Sequence, residues 1–439
     1  MSPAGALFWA LLYGALVLVP LLVLVSGLGI GEGAGWWFDF SMGLGFGALA
    51  VMGGQFVLTA RFRRATAPFG IDVIYVFHRW LAGVGLSLVV AHYLILKARY
   101  PATLVPAAPL DAPAYMTAGR AALALFVLLI GSSLWRKTLG IEYDRWRVVH
   151  AVLAVSAMVF AVVHVRGVGY YSGIFWNRTV LDAFLFSLVA LVLYVRLLKP
   201  LLAASVPYRV TEVRPERGNA WTLRLQPDGH SGFRFMPGQF AWMSLGVSPW
   251  CAKEHPFSFS ESSEREDGLE FTIKELGDFT SRVGQTPVGT VAYVDGPHGS
   301  FSVDRYPEAS GFFFLAGGVG IAPMLSMLRS LADRGDRRPL WLMYGSRSWD
   351  RVIHRDELER LSGRLDLRVT HVLIEPPERW EGEVGLPDAA MIERALGDAP
   401  DGIHCFLCGP EPMCQMAQRA LRAMGIDGGR IHFELFDMA

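Results

Sequence analysis

The sequence predicts a multi-domain membrane protein, in which an all-α bundle of six transmembrane helices is followed by an antiparallel β-barrel and then by an α/β domain. The first observation is a split in charge. Residues 1–205 contain 15 Lys and Arg with 7 Asp and Glu, whereas the rest of the chain contains 25 and 33. The second is that 52% of the 439 residues are hydrophobic, which favours membrane embedding. The third is that apolar runs shorten to strand length after Pro200.

The six spans are windows of about 20 mainly apolar residues, which is enough to cross about 30 Å of hydrocarbon. The first window begins MSPAGALFW without a basic n-region, so it is interpreted as a span and not as a signal peptide. Six spans would place both termini on the same side of the membrane. The windows lie near 7–29, 41–60, 73–96, 119–135, 147–165 and 179–198.

Basic residues flank these spans unequally, with nine on one side and five on the other. Basic residues favour the cytoplasmic side, so the second half of the chain is predicted to be cytoplasmic, attached to the inner membrane of the cell. The nine are Arg61, Arg63, Arg64, Arg136, Lys137, Arg145, Arg147, Arg196 and Lys199, and the five are Lys97, Arg99, Arg120, Arg166 and Arg178.

Four histidines lie in the apolar spans as two equally spaced pairs, His78 with His92 and His150 with His164. Fourteen residues make about 3.9 helical turns, so the members of a pair return to nearly the same face, about 21 Å apart. Imidazole inside hydrocarbon usually marks a functional site, and heme iron takes axial histidines. Two such helices side by side could hold two hemes stacked across a bilayer. The alternative is four hydrogen-bonded core histidines.

The second half of the chain changes its pattern twice. Five short runs with Gly and Pro between them predict a small antiparallel barrel over 206–305. From about residue 310 strands alternate with amphipathic helices, which predicts a parallel sheet covered by helices over 306–439. The barrel runs are YRVTEVRP, AWTLRLQP, GQFAWMSLG, LEFTIKEL and GTVAYVDGP, and the strands of the α/β part are FFFLA, WLMYGS, LRVTHVL and HCFLCG.

A glycine-rich turn, 317–323, lies between the first of these α/β strands and its helix. Glycines let backbone amides approach a pyrophosphate, and the helix N-terminus adds a partial positive charge. Ser346 and Arg347 follow the second strand, where an arginine can pair with the 2'-phosphate of NADPH and an acid would favour NADH. The pattern predicts a dinucleotide site that prefers NADPH.

Three segments of the predicted barrel that contain candidate ligand-binding side chains precede this turn. They are 237–240, 255–258 and 273–280. Ser258 offers a hydroxyl to a ring nitrogen or carbonyl, Phe257 offers a stacking face, and His255 offers a phosphate donor. Thr280 is predicted to be the N-cap of a short helix, TSRVGQ, whose free amides could hold a second pyrophosphate. Ordinary barrel packing is the alternative for each.

Together these motifs resemble the NADPH oxidase and ferric reductase family of the bacterial type. In that family six membrane helices hold two b-type hemes and are fused to a ferredoxin-NADP reductase-like module that binds FAD and NADPH. The resemblance implies one heme between His78 and His150 and a second heme between His92 and His164.

The resemblance also implies roles for the soluble motifs. Cys408 would lie close to the nicotinamide, and Phe436 would lie against the flavin ring, so both are expected to be catalytic. The residues expected to bind FAD are His255, Pro256, Phe257, Ser258, Lys274, Gly277, Thr280 and Phe436, and those expected to bind NADPH are Gly317, Gly318, Gly320, Pro323, Ser346, Arg347, Cys408, Gly409 and Pro410.

Heme propionates need cations, and several basic residues lie near the histidines in sequence. His78 and His150 are predicted to lie toward the cytoplasm and are called the inner pair, and His92 and His164 are predicted to lie toward the outside and are called the outer pair. Arg79, Arg145 and Arg147 lie near the inner pair, and Arg166 and Lys97 lie near the outer pair. Arg79, Arg147 and Arg166 are the predicted propionate partners. The alternative is that these residues only mark the membrane boundary.

The expected function is electron transfer from cytoplasmic NADPH, with NADH as a second donor, through FAD and two hemes to an acceptor at the outer face. Oxygen, which would give superoxide, is one acceptor, and ferric or cupric chelates are another. An electron-donor subunit for a quinone or a partner protein, and a transporter with an attached sensor domain, are further alternatives. The outer segment 97–120 has one acidic residue, Asp111, and no histidine cluster, which favours oxygen over a metal ion. The sequence identifies no partner protein, and no nucleic-acid partner is expected.

Overall fold

The computed structural model describes residues 11, 14, 18–19, 21–23, 35–60, 71–104, 111–251 and 253–435. This part of the chain divides into two compact units, a helical unit that extends to Pro200 and a mixed α/β unit that begins at Leu201 and also includes Ile71 and Asp72. The predicted span near 7–29 lies largely outside the described residues.

Five long helices form the described part of the helical unit, and each is long and apolar enough to cross a membrane. Every one begins a few residues before its predicted window, because aromatic and polar residues at a membrane interface extend a helix beyond its hydrophobic stretch. The last helix continues through a π-helical turn, Tyr194–Leu198, into a short sixth helix. The helices are α1 (Trp36–Thr59), α2 (Ile71–Arg99), α3 (Ala114–Leu134), α4 (Tyr143–Val168), α5 (Phe175–Leu193) and α6 (Lys199–Ala204).

Glycine residues let α3 and α4 pack closely. A Cβ atom on Gly167 would lie 2.1 Å from the Cβ of Tyr115, and one on Gly119 would lie 2.6 Å from Nδ1 of His164. Small residues at such crossings bring helix backbones together in a membrane. The apolar core of the unit consists of Leu49, Met52, Phe126, Leu129, Ala157, Met158, Leu181, Phe184 and Leu188.

Large apolar side chains cover the outside of this unit. Trp80, Trp176 and Phe186 are 71%, 72% and 74% exposed. A water-soluble surface rarely presents so many large apolar groups, whereas a lipid-facing surface requires them. The helical unit therefore has the surface of an integral membrane protein.

A six-stranded antiparallel sheet forms the first part of the mixed unit, in the order β4-β3-β6-β1-β2-β5. A bridge between Phe259 and Phe271 links the residue after β4 to β5, so the sheet curves into a half-closed barrel around buried aromatic side chains. The strands are β1 (Tyr208–Glu216), β2 (Ala220–Pro227), β3 (Phe240–Leu245), β4 (His255–Ser258), β5 (Leu269–Lys274) and β6 (Val291–His298).

A six-stranded parallel sheet follows, in the order β10-β9-β8-β7-β11-β12. Its central strands are almost continuously apolar, as expected for a parallel sheet covered on both faces. The strands are β7 (Phe312–Gly317), β8 (Leu340–Ser346), β9 (Leu367–Leu373), β10 (Glu383–Val384), β11 (His404–Gly409) and β12 (Ile431–Leu435), and the helices are α7 (Ile321–Asp333), α8 (Arg355–Ser362), α9 (Ala389–Leu396) and α10 (Glu411–Ala423). The fold class predicted from the sequence is confirmed, with five of the six predicted spans inside the described residues.

Candidate functional site

The four membrane histidines lie as two pairs, each with one residue on α2 and one on α4. The ring centroids of His78 and His150 lie 6.2 Å apart. Two imidazoles on opposite sides of one metal ion, each bonded at about 2 Å with its centroid about 1 Å further, would have centroids about 6 Å apart. His92 and His164 line one cavity of about 470 Å³. The separation in the first pair and the cavity in the second both suit a group held between two rings.

Hydrogen bonds orient the imidazoles of the outer pair. Nδ1 of His92 lies 2.7 Å from the carbonyl oxygen of Ser41, and Nδ1 of His164 lies 3.0 Å from the carbonyl oxygen of Tyr115. A carbonyl oxygen only accepts, so Nδ1 carries the proton in both rings. The Nε2 lone pair is then left for a metal, as in protein sites where the second ring nitrogen is anchored by a backbone carbonyl.

The same orientation occurs at His150 of the inner pair. Its Nδ1 lies 3.1 Å from Oγ of Ser133, and that hydroxyl donates its own proton to the carbonyl oxygen of Leu129 at 2.7 Å. The hydroxyl must therefore accept from Nδ1 of His150. The backbone carbonyl of His78 accepts from the side-chain amide of Gln55 at 2.9 Å, which fixes the helix beside the fourth ring.

Apolar side chains from α1 to α4 form most of the outer cavity. Among its described lining residues Arg120 is the one with a formal charge at neutral pH. Arg120 donates from Nη2 to the carbonyl oxygen of Leu104 at 2.6 Å. The sequence alone predicts Arg120 only as a basic residue at the membrane boundary. Arg120 lies next to Gly119, which packs against His164, and this neighbour could have indicated its place at the cavity.

The three predicted propionate partners lie in different environments. Arg166 forms an ion pair with Asp182 of α5 at 2.9 Å. Arg79 is exposed beside His78, and Arg147 lies over the ring of Tyr143 at 5.9 Å. Their role toward a heme remains a prediction.

The predicted flavin residues surround the end of β4. Ser258 is 4% exposed, and its Oγ is buried with no hydrogen-bond partner among the described residues. A buried hydroxyl without a partner is costly, so a ligand atom at this position would satisfy it. The rings of His255 and Phe279 stack at 4.0 Å, and Phe257 lies parallel to Phe279 at 5.9 Å. The residues present therefore fit an aromatic, hydrogen-bonding ligand.

The prediction that Thr280 is an N-cap is wrong. Phe279 is the N-cap residue of the short 3-10 helix Thr280–Gln285. The Oγ1 atom of Thr280 instead accepts from the backbone amides of Leu276 and Gly277, at 2.8 and 2.9 Å. A threonine hydroxyl can accept hydrogen bonds from backbone amides of the helix that follows it or of the turn that precedes it. In Thr280 it accepts from the turn that precedes it.

The predicted nicotinamide-nucleotide residues meet at the carboxyl edge of the parallel sheet. Gly318 has a φ of 56°, which favours glycine, and α7 begins at Ile321. A Cβ atom on Gly320 would lie 2.1 Å from the carbonyl oxygen of Cys408, and one on Gly317 would lie 2.8 Å from Cδ of Pro410. The glycine turn after β7 and the segment after β11 are therefore in contact, and Pro323 is buried in the first turn of α7.

Two contacts join this edge to the antiparallel sheet. Nζ of Lys274, predicted to bind FAD, lies 3.6 Å from the position a Cβ atom on Gly318 would take. Glu434 of β12 pairs in register with Cys408 of β11. The Oε1 atom of Glu434 lies 3.6 Å from the position that a Cβ atom on Gly299 would take. Residues from the two predicted sets, Lys274 and Gly318, therefore lie close to each other. Phe436 lies outside the described residues.

Cys408 of β11 is fully buried. Burial, with the charge of Glu434 nearby, raises the pKa of the Cys408 thiol well above its usual range. The side chain is therefore a neutral thiol at physiological pH, suited to packing against a ring and not to nucleophilic attack.

The two residues predicted to select NADPH differ in accessibility. Ser346 ends β8 and is 8% exposed. The side chain of Arg347 is 61% exposed and forms an ion pair with Glu375 at 2.9 Å. Glu375 lies 28 positions from Arg347 in the chain, so the local sequence does not indicate this partner.

Comparison with known protein families gives three consecutive matches. Residues 44–161 match the ferric reductase like transmembrane component, residues 207–300 match an FAD-binding domain, and residues 314–419 match an oxidoreductase NAD-binding domain. These three matches coincide, in this order, with the helical unit, the antiparallel sheet and the parallel sheet.

Individual relatives match the soluble half. The electron transfer subunit of a probable dihydroorotate dehydrogenase B (NAD(+)) from Methanopyrus kandleri is 33% identical over 209 residues, which cover 47% of this chain and 71% of that protein. The reductase component of propane 2-monooxygenase from Rhodococcus jostii is 29% identical over 241 residues, which cover 53% of this chain and 64% of that protein. A solved ferredoxin NADP+ reductase from Neisseria gonorrhoeae with bound FAD and NADP is 21% identical, with a TM-score of 0.45, over 52% of this chain and 97% of that one.

The fold and these matches define an NAD(P)H-dependent oxidoreductase with an FAD-binding domain and an integral membrane domain. More specifically, the chain belongs to the family of ferric reductase and NADPH oxidase-like proteins, in which a ferric reductase-like transmembrane domain is fused to a ferredoxin-NADP reductase-like module.

Proposed function

We propose that this protein carries electrons from cytoplasmic NADPH through FAD and two b-type hemes to oxygen at the outer face of the inner membrane, giving superoxide. The observation that carries the proposal is the pair of histidine levels. His78 faces His150 at 6.2 Å, and His92 and His164 share one cavity. Anchored Nδ1 atoms leave Nε2 of three of the four rings for a metal.

The proposed ligands divide the chemistry between the cofactors and the chain. When bound, FAD would supply hydride acceptance and the hemes would supply one-electron transfer. The chain binds and orients these groups. The glycine turn at Gly317–Gly320 offers backbone amides to a pyrophosphate, and the hydroxyl of Ser258 offers a hydrogen bond to the flavin. The four membrane histidines offer ring nitrogens to iron, through Nε2 in His92, His150 and His164.

The helical core supports a route that runs through the membrane unit. The apolar layer that includes Leu49, Phe126 and Leu181 is buried and lies within the bundle that carries both histidine levels. Such a layer excludes water and charge from the space between two redox groups, so electrons are not lost to side reactions on the way.

The outer cavity favours oxygen as the acceptor. Among its described lining residues there is no carboxylate suited to a ferric or cupric chelate, and Arg120 is the one with a formal charge at neutral pH. Met42, Met52 and Met116 line it together with His92 and His164. A small neutral molecule could approach the edge of a heme held between His92 and His164, and the cation Arg120 beside it would stabilise an anionic product. Placement of the soluble half in the cytoplasm rests on the nine-to-five excess of flanking basic residues.

A second candidate is an electron-donor subunit whose acceptor is a partner protein or a quinone. The observation that favours it is the similarity of the soluble half to the reductase component of an oxygenase from Rhodococcus jostii. A ferric or cupric chelate remains a third acceptor that the same route could serve.

One experiment separates these acceptors. The full-length protein, loaded with heme and FAD, is supplied with NADPH, and reduction of cytochrome c is followed with and without superoxide dismutase. We expect dismutase to abolish most of the cytochrome c reduction. Reduction that dismutase does not affect, together with fast reduction of a ferric chelate under anaerobic conditions, would show that oxygen is not the acceptor.

A further inference from the structure

Glu375 is joined to Arg347 at the carboxyl edge of the parallel sheet. Arg347 follows β8, and Glu375 follows β9 two residues beyond its end. The backbone N–H of Glu375 donates to the carbonyl oxygen of Arg347 at 2.7 Å, so the pairing of the two strands continues past their ends. The side chains then meet, with Nε and Nη2 of Arg347 at 3.0 and 2.9 Å from Oε1 of Glu375.

The pair lies where an open α/β sheet recognises the ribose of a dinucleotide. The pyrophosphate turn follows β7, and the residues that distinguish the two nucleotides follow the neighbouring strand of the sheet, which is β8 here. Both side chains are accessible to a ligand, since Arg347 is 61% and Glu375 57% exposed. Any nucleotide that reaches Arg347 therefore also meets Glu375.

The two nucleotides would meet this pair differently. NADPH brings a 2'-phosphate of about two negative charges, which must displace the carboxylate from the guanidinium or lie beside it. NADH brings a neutral ribose hydroxyl, which donates a hydrogen bond to a carboxylate. The hydrogen bond from Arg347 keeps the pKa of Glu375 below its ordinary value, so the carboxylate is charged at neutral pH.

We propose that Glu375 determines the choice between NADH and NADPH. Its carboxylate accepts the ribose hydroxyl of NADH and occupies the guanidinium of Arg347 that the 2'-phosphate of NADPH would need. The protein then uses NADH at least as well as NADPH. This inference rests on the proposed function and replaces the preference for NADPH that Ser346 and Arg347 predict when the sequence is considered alone.

The test compares kcat/KM for the two nucleotides in the full-length, FAD-loaded protein, with reduction of a dye at the flavin as the readout. Glu375→Gln should raise the NADPH-to-NADH ratio of kcat/KM on the order of tenfold, mainly through a lower KM for NADPH. Arg347→Ala should lower kcat/KM for NADPH and leave that for NADH almost unchanged.

Asp398→Asn is the matched control. Asp398 forms an ion pair with Arg368, both 59% exposed, and Arg368 is near the start of β9, away from the carboxyl edge. An exposed pair contributes little to stability, so neither acidic variant should unfold the protein. The control should leave the NADPH-to-NADH ratio unchanged.

Two outcomes overturn the inference. One is an NADPH-to-NADH ratio of kcat/KM in Glu375→Gln that stays within about twofold of the ratio in the parent. The other is a parent protein whose kcat/KM for NADPH exceeds that for NADH by more than about tenfold. In both cases the proposed function stands, because a nucleotide still reduces the flavin. If dithionite reduces the flavin and neither nucleotide does, the proposed function fails together with the inference.

Discussion

A neighbouring helix aligns three of the four membrane histidines. Ser41 on α1 holds His92, while Tyr115 and Ser133 on α3 hold His164 and His150. Each of these contacts engages Nδ1. The ring positions therefore depend on how closely α1 approaches α2 and α3 approaches α4, and glycine residues lie against two of the rings.

The first prediction compares those two glycines. In a Gly119→Ala variant the new Cβ atom would lie 2.6 Å from Nδ1 of His164, whereas in Gly45→Ala it would lie 3.5 Å from Nδ1 of His92. A distance of 2.6 Å is shorter than a van der Waals contact, so the ring of His164 would have to move in Gly119→Ala. We therefore expect Gly119→Ala to lose the outer heme and Gly45→Ala to keep it. Heme-to-FAD ratios and the low-spin heme spectrum measure this.

If the Gly119→Ala variant retains as much heme per FAD as the Gly45→Ala variant, α3 does not press on His164 as described.

At the scale of elements, the glycine turn after β7 depends on its contact with the end of β11. Gly320→Ala would place a Cβ atom 2.1 Å from the backbone carbonyl oxygen of Cys408. Neither atom can move away by rotation of a side chain, so the backbone itself would have to shift. We expect this variant to lose at least about tenfold in kcat/KM for NADPH, because a displacement of about 1 Å at a binding turn is costly. Dye reduction at the flavin is the assay.

Gly397→Ala is the control for this second prediction. Its Cβ atom would lie 3.6 Å from the nearest atom, the carbonyl oxygen of Glu393, at the end of α9. Its kinetics should equal those of the parent. Equal kinetics in the Gly320→Ala variant would show that the turn tolerates displacement and does not hold the pyrophosphate.

The sequence was most informative for elements with a regular pattern. Five apolar windows became helices, and the predicted barrel runs became β1, β2, β3, β5 and β6. Shorter elements were missed: α8 and α9 have eight residues each, and β10 has two. Such lengths give too few repeats for periodicity to distinguish a helix or strand from a loop.

Contacts between distant residues could not be predicted either. Arg329 of α7 bonds Glu270 of β5, 59 positions away, and the partner of Arg347 is 28 positions away. Nothing in local composition identifies such partners, because they are set by how strands and helices pack. The same reason explains why Arg120 was recognised as a cavity residue only in the structure.

At the scale of the whole molecule, a buried polar network joins the antiparallel sheet to the helices of the parallel sheet. Arg329 is bonded to Glu270 at 2.6 Å and to Glu357 of α8 at 2.7 Å. Nε2 of His354 lies 2.8 Å from Oγ1 of Thr272 on β5. Removing one partner of a buried ion pair costs about 3–5 kcal/mol, so the network couples the stability of the two sheets.

The third prediction concerns pH. Burial lowers the pKa of His354 below its ordinary value of 6.5, although Glu216, Glu357 and Glu270 oppose this and Arg329 adds to it. The unfolded chain therefore binds a proton first, and stability is lost as pH falls below about 6.5. We expect the thermal midpoint, followed by release of flavin fluorescence, to fall between pH 7 and about 5.5.

Two variants test the assignment of this pH dependence to His354. His354→Gln should flatten the fall in the thermal midpoint, whereas His230→Gln, in the loop after β2, should leave it as in the parent. Burial raises the pKa of Glu357, but hydrogen bonds and charge from Arg329 outweigh that and lower it below its ordinary value of 4.5. A further loss of stability below about pH 4.5 should therefore persist in both variants. A His354→Gln midpoint that falls as steeply as that of the parent above pH 5.5 would assign the effect to another group.

If each of the two histidine pairs holds one heme, the number of hemes per chain follows from which histidines are present. Heme per chain and low-spin signals are measured in the parent, in His78→Ala/His150→Ala and in His92→Ala/His164→Ala. We expect two hemes in the parent, one in each double variant, and none when all four histidines are replaced. Two low-spin hemes that survive replacement of all four histidines, or a parent that binds none, would contradict it.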